Sequence, residues 1–205
     1  MPSNTQKNTL SQKLADFVLR LISWQVDVTL PEARKYVVIG APHTTGWDLF
    51  YLMLMKLSTG IDIKWVGKDT LFRWPLGVFM RWLGGVPVKR HSNNNFVEQI
   101  VAQFRQREEL IIAIAPEGSR GKTSHWRTGF YYIALGADVP IALGFIDYPS
   151  RVVGIGPSLL PSGDIQVDFS KIKAFYGGKT GRYPERQGDI QLNIEKVPLP
   201  GTPLP

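Results

Sequence analysis

The chain has 205 residues, 43% of them hydrophobic, which suits one folded domain with a substantial core and argues against disorder. It has no cysteine, which rules out disulfides, thiolate nucleophiles and cysteine metal sites; its three histidines, His43, His91 and His125, show no metal-ligand spacing, so no metal site is expected. The net charge of +7 favours an anionic partner such as phosphate or an acidic membrane surface, but Lys and Arg form no long run, so no nucleic-acid partner is expected.

Residues 1–10 are polar and lack the apolar stretch of a signal peptide, and no segment reaches the ~18 apolar residues of a membrane-crossing helix. The expected location is cytoplasmic, free or peripheral on the inner face of the membrane. Over residues 9–25, Leu10, Leu14, Phe17, Val18, Leu21 and Ile22 recur at helical spacing, with Lys13, Asp16 and Arg20 between them. This predicts an amphipathic helix that packs on the domain or lies in a lipid interface, packing being the plainer reading. Residues 36–41 form a short apolar run that predicts a buried strand ended by Pro42. Residues 47–58 predict a helix with Asp48 in or near its first turn, where the helix dipole favours a carboxylate.

A second strand is expected over 61–67. The aromatic stretch 71–83 (Phe72, Trp74, Phe79, Trp82) predicts a helix with Pro75 near its start and Gly84-Gly85 at its end. A strand over 86–90 and a helix over 93–107 follow. Residues 110–115 are the most apolar strand candidate. A helix over 126–136, strands over 138–146 and 152–160, and a helix over 164–176 complete the pattern. Beyond residue 177 the chain turns Gly-rich and then Pro-rich, which predicts an irregular tail. Three parts are expected: a helix and linker over 1–30, a domain over 31–177 and the tail over 178–205. Alternating strands and helices predict a single α/β domain with a mixed central sheet flanked by helices.

Two polar clusters follow buried-strand candidates. In Pro42-His43-Thr44-Thr45-Gly46-Trp47-Asp48, a loop histidine precedes a carboxylate at a helix start. The carboxylate can hold one ring nitrogen and leave the other free to take a proton. On these residues alone, a catalytic pair and a loop histidine beside a capping aspartate are equally good readings. In Pro116-Glu117-Gly118-Ser119-Arg120, Gly118 permits a tight turn, Glu117 can accept from a hydroxyl, and Arg120 offers a planar fork suited to phosphate. Read alone, this cluster is an ordinary turn with a surface ion pair. Lys68 and Arg90 also end strand candidates, and a sheet that gathers these ends would place Lys68, Arg90 and Arg120 beside His43. The chain has no Gly-x-Ser-x-Gly elbow and no Gly-rich phosphate loop after the first of these strands, which disfavours a covalent serine hydrolase and a nucleotide-binding enzyme.

Four blocks stand in order: His43-Thr-Thr-Gly-Trp-Asp48, Gly84-Gly-Val-Pro-Val-Lys-Arg90, Pro116-Glu-Gly-Ser-Arg120 and Val139-Pro140-Ile141. Over residues 36–147 the sequence resembles the glycerolipid acyltransferase family, which includes 1-acylglycerol-3-phosphate acyltransferase. The stretch 68–77 resembles the family's approach to the second block. The resemblance implies a glycerol-3-phosphate acyltransferase-like fold and a direct transfer. His43 deprotonates an acceptor hydroxyl, Asp48 orients His43, and the oxygen attacks the thioester of acyl-CoA or acyl-carrier protein. It implies no bound cofactor and no metal. It assigns the acceptor phosphate to Lys68, Arg90 and Arg120, the pocket's shape to Glu117, Gly118 and Ser119, and the acyl-donor side to Val139, Pro140 and Ile141.

The expected partners are a lysophospholipid acceptor, lysophosphatidic acid first and a lyso-aminolipid as the nearest competitor, together with the acyl donor and a membrane surface. A non-catalytic lipid- or phosphate-binding domain is the alternative from a different class, and an oriented base argues against it. The sequence departs from the family pattern at Pro42, Ala115, Ser119 and Ala142-Leu143. These departures leave His43 and Asp48 in place and bear on acceptor identity. The chain is also short beside relatives with a long N-terminal anchor, which implies a peripheral version of the enzyme.

Overall fold

Thr9 starts the first helix, α1 (Leu10–Leu21), through a capping box. Its hydroxyl accepts from the Gln12 amide while the Gln12 side chain accepts from the Thr9 amide. The helix stops short of residue 25 because Ser23 turns left-handed (φ 58°) and Gln25–Val28 pairs as a strand, β1. A four-residue edge strand with alternating exposure leaves too short a pattern to read from sequence. There follow β2 (Lys35–Ala41), α2 (Trp47–Thr59), β3 (Ile63–Lys68), α3 (Leu76–Trp82), β4 (Gly85–Val88) and α4 (Asn93–Gln106). The order ends with β5 (Leu110–Ile114), α5 (Gly129–Ala137), β6 (Ile141–Asp147), β7 (Val152–Leu159) and α6 (Ile165–Tyr176). This computed structural model describes residues 9–88 and 93–193.

Three expected boundaries move for local reasons. The apolar stretch 71–83 is not one helix, because Asp69–Phe72 forms a 3-10 turn before α3. Helix α5 begins at Gly129 rather than 126, because the Trp126 and Arg127 amides donate to the distant carbonyls of Gln191 and Pro116 (both 2.8 Å). Strand β6 begins at Ile141 rather than 138, because Asp138 closes α5 in the left-handed region (φ 53°).

The strands form one seven-stranded sheet in the order β1-β7-β6-β2-β5-β3-β4. Strands β6, β2, β5, β3 and β4 run parallel. Strand β7 is antiparallel to β6 and β1 is parallel to β7, so these two run the opposite way. The chain is thus a single mixed α/β sheet flanked by helices.

Strand β2 lies at the centre and is buried on both faces, as a parallel inner strand must be. Val37 and Ile39 pack in one core with Phe104 of α4, Ile133 of α5 and Ile172 of α6. Tyr36 and Val38 pack in a second core with Leu19 of α1 and Met55 of α2. Each such apolar side chain contributes about 1.5–3 kcal/mol by leaving water. The Tyr176 hydroxyl ties α6 to the sheet, shared between the carbonyls of Ile39 (2.9 Å) and Gly144 (2.7 Å). Ser58 donates to Asp16 and holds α1 against α2. Parallel strands end on one edge of a sheet, so the loops after β2, β3, β5 and β6 emerge together there.

Candidate active site

The loop after β2 carries His43, and α2 begins four residues later, so Asp48 in its first turn faces back toward the ring. The His43 Nδ1 lies 3.0 Å from Asp48 Oδ2. A carboxylate can only accept, so Nδ1 carries the proton and Nε2 is left as the basic nitrogen. The same Oδ2 accepts from the amides of Thr44 (3.0 Å) and Thr45 (3.1 Å), and Oδ1 accepts from the Tyr148 hydroxyl (2.8 Å). Asp48 is thus held from four directions. Its side chain is only 9% exposed, whereas that of His43 is 30% exposed and meets solvent. Among the described residues, no hydrogen bond occupies Nε2.

Glu117, in the loop after β5, stands behind this pair. Its Oε1 accepts from the His43 amide (2.9 Å) and so pins the histidine's backbone. Glu117 is buried (2% exposed), and among the described residues its Oε2 has no hydrogen bond of ordinary geometry. Burial pushes its carboxyl up to about 7, with the nearby Asp48 charge adding to the rise. The His43 amide, the His43 charge and the Gly188 amide oppose that rise. Gly118 takes a left-handed φ of 69°, and a Cβ there would sit 2.5 Å from the Arg127 Nε, so this turn favours glycine.

The four expected residues of the loop, Glu117 to Arg120, and the dyad do converge. Arg120 is exposed and reaches the start of α2, where its Nη1 lies 3.0 Å from the position of a Cβ on Gly46. Ser119 is exposed and caps its own turn by donating to the Gly121 carbonyl (3.1 Å). Lys68 ends β3 with an exposed side chain. Arg90 lies outside the described residues.

A cavity of about 640 Å³ opens at this edge and runs between α2 and the sheet. His43, Asp48, Lys68, Thr70, Ser119 and Arg120 stand in its lining as the polar part. Leu49, Leu52 and Met55 of α2, Val38, Trp65, Ala113 and Val153 of the sheet, and Leu71 and Met80 make its apolar walls. A mostly apolar hollow with a few converging polar groups is the usual shape of a small-molecule site.

Val139, Pro140 and Ile141 are not brought to this cavity. Ile141 pairs with Val37, four residues before Ala41 in β2, so the three residues lie at the opposite end of the parallel strands. Val139 and Ile141 are buried in the core of α4, α5 and α6, and the Pro140 carbonyl accepts from the Val37 amide (2.9 Å).

The residues after α6 also reach the site. The Tyr183 amide donates to Thr44 Oγ1 (3.3 Å), and a Cβ on Gly181 would meet Thr44 Cγ2 at 2.7 Å. The Asp189 amide donates to the Thr123 carbonyl (2.9 Å). Arg182 lies 5.8 Å from the Trp47 ring, and its charge is felt at Tyr51 and Tyr148. Tyr148 and Arg182 are site residues that the sequence reading passed over. Tyr148 had a signal, since it follows directly on β6 just as Lys68 ends β3.

Among the described residues, no group of three His, Asp or Glu could hold a metal ion, and no helix is long and apolar enough to cross a membrane. A family model described as Acyltransferase matches residues 25–142. A search of curated proteins finds no match. The fold is similar to that in the crystal structure of the 1-acyl-sn-glycerophosphate (LPA) acyltransferase PlsC from Thermotoga maritima. The TM-score is 0.54 at 17% identity, over 80% of this chain and 74% of that one.

Proposed function

From the premise that this chain belongs to the acyltransferase family, we propose that it moves a fatty acyl group from a thioester carrier to a hydroxyl of a lysophospholipid. The carrier is acyl-CoA or acyl-carrier protein, and the favoured acceptor is lysophosphatidic acid. The observation that carries this reading is the oriented His43, with Nε2 unpaired among the described residues, in the lining of a cavity with apolar walls and cationic side chains.

In this reading the acceptor hydroxyl gives its proton to His43 Nε2 as its oxygen attacks the thioester carbonyl. The tetrahedral intermediate then expels the carrier thiolate, which takes the proton back from the imidazolium. An ester and a free thiol leave, and the histidine returns to its starting state. Asp48 keeps Nδ1 protonated and steadies the imidazolium while it exists. Lys68, Arg120 and Arg90 bind the acceptor phosphate, which aligns the hydroxyl for attack. Glu117, Gly118 and Ser119 shape that loop. The apolar walls suit a fatty acyl chain, and Val139, Pro140 and Ile141 support the sheet without touching it. The acceptor is a lipid, so the enzyme works at a membrane surface as a peripheral protein. The exposed stripe Leu10, Leu14, Phe17 and Leu21 of α1 is the contact that this requires.

The test is a transfer assay of purified protein against several lysolipid acceptors with both donor types, using His43→Ala as the blank. We expect transfer to lysophosphatidic acid and none in the variant. Full activity in folded His43→Ala would remove His43 as the base, and transfer only to an acceptor without phosphate would overturn the acceptor assignment.

A further inference from the structure

Asp48 has two carboxylate oxygens, and only one faces His43. The other accepts from Tyr148, a residue one hundred positions away that no motif of the sequence points to. We propose that Tyr148 is a positioning residue for the transfer reaction, acting on His43 through Asp48; this rests on the reading of His43 as the base.

Three features of its setting carry the inference. First, Tyr148 is braced on several sides. Its ring meets Trp24 and Tyr51 edge to face (centroids 5.2 and 5.7 Å), and Trp24 in turn stacks on Tyr51 at 3.8 Å. Its amide donates to the Thr180 carbonyl (3.0 Å), so the backbone is held as well as the ring. A hydroxyl fixed in this way holds Oδ1 in place and thereby sets the plane of the carboxylate that His43 meets.

Second, this hydroxyl stays protonated. Burial, the hydrogen bond to Asp48 and the Asp48 charge all push Tyr148 far above the ordinary tyrosine value. It therefore donates to Asp48 at every pH at which the enzyme works. Third, apart from His43 itself, the other donors to Asp48 among the described residues are local amides of its own loop, which follow wherever the loop goes. Among the described residues, Tyr148 alone ties the carboxylate to a different strand end, that of β6. It fixes the dyad to the sheet as well as to α2.

The donor also tunes charge. A hydrogen bond to Oδ1 draws negative charge away from the side of Asp48 that faces His43. Without it the carboxylate attracts the imidazolium more strongly, and the protonated, inactive histidine persists to higher pH. Besides His43 and Tyr148, Glu117 and Tyr51 feel the Asp48 charge; Arg182 and Arg151 act on Tyr51, and Arg182 also acts on Tyr148, and Tyr148→Phe replaces none of these side chains.

The experiment is a pH profile of kcat/KM for full-length wild type and Tyr148→Phe with lysophosphatidic acid and acyl-CoA, beside Tyr51→Phe. Phenylalanine keeps the ring contacts, so folding is preserved, and a thermal midpoint checks this. Tyr51→Phe removes a hydroxyl from the same cluster that makes no hydrogen bond among the described residues. For Tyr148→Phe we expect kcat to fall about tenfold with both KM values held, and the acid limb to move up by roughly half a pH unit. Tyr51→Phe keeps the wild-type profile. An acid limb of Tyr148→Phe at the wild-type position overturns the inference, whatever the turnover, and so does an equal shift in Tyr51→Phe. If His43→Ala is inactive and the limb does not move, only the Tyr148 role fails; if His43→Ala is active, the base assignment fails first.

Discussion

Replacing Glu117 with glutamine should stabilise the protein in alkaline but not in acid solution. In the folded chain, burial raises this carboxyl from 4.5 to about 7. Below pH 4.5 the group is protonated whether the chain is folded or not, and it costs nothing. Between 4.5 and about 7 the unfolded chain ionises it while the folded chain keeps its proton, so stability falls with rising pH. Above about 7 both forms are ionised and the full cost stands. At about 1.36 kcal/mol per unit, that cost is about 3 kcal/mol. Glutamine cannot ionise and still offers an oxygen to the His43 amide, so it avoids this term. Its new N–H group meets the place where, among the described residues, Oε2 has no hydrogen bond of ordinary geometry, and it faces the Gly188 amide, so 3 kcal/mol is the upper bound.

For a chain of this length, 1 kcal/mol moves the thermal midpoint by roughly 2–4 °C. The midpoint of Glu117→Gln should therefore exceed that of the wild type by up to about 10 °C at about pH 8.5. The two should converge near pH 4.5. Thermal unfolding followed by circular dichroism at several pH values measures this. A difference between the two proteins that stays constant from acid to alkaline solution would refute the buried, proton-holding Glu117.

Two further outcomes follow from the proposed reading. Arg120→Ala should raise the KM for a phosphate-bearing acceptor about 10- to 100-fold, the worth of a charge-assisted hydrogen bond, and leave a phosphate-free acceptor nearly unaffected. Steady-state kinetics with a matched pair of acceptors measures it, and equal effects on both would sink the phosphate role. Leu14→Ser with Phe17→Ser should weaken binding to anionic vesicles about tenfold or more at an unchanged thermal midpoint. Those side chains are 61% and 60% exposed, so the fold loses little. Unchanged vesicle sedimentation would leave α1 as a packing helix only.

The legible parts of this protein were those written in short stretches of chain. His43 and Asp48 share one loop and the first turn of one helix, so their spacing of five is nearly a geometric statement. The alternation of strands and helices was readable for the same reason, because burial on one face leaves a period of 3.6 or an apolar run. The turn at Gly118 was readable because glycine there stands for a backbone shape. Local periodicity failed where a distant partner decided the outcome. The start of α5 was shifted by carbonyls at Gln191 and Pro116, and β1 exists only because β7 offers it an edge.

The dyad, the family blocks and the alternation of elements were determined by the sequence itself, since each rests on neighbours within a few turns of chain. Which strand ends meet is set by sheet order and register, and spacing along the chain carries neither. Register sent Val139, Pro140 and Ile141 to the far end of the strands from His43, although they sit as close in sequence to Glu117 as any candidate block does. It also brought Tyr148 to Asp48 across one hundred residues and laid the segment from Thr180 to Gly188 against the loops that carry His43 and Glu117. A hydrogen bond costs the chain little once the sheet has already closed the loop between its ends. Contacts of that kind therefore belong to the tertiary structure, and they are the ones that finish the site.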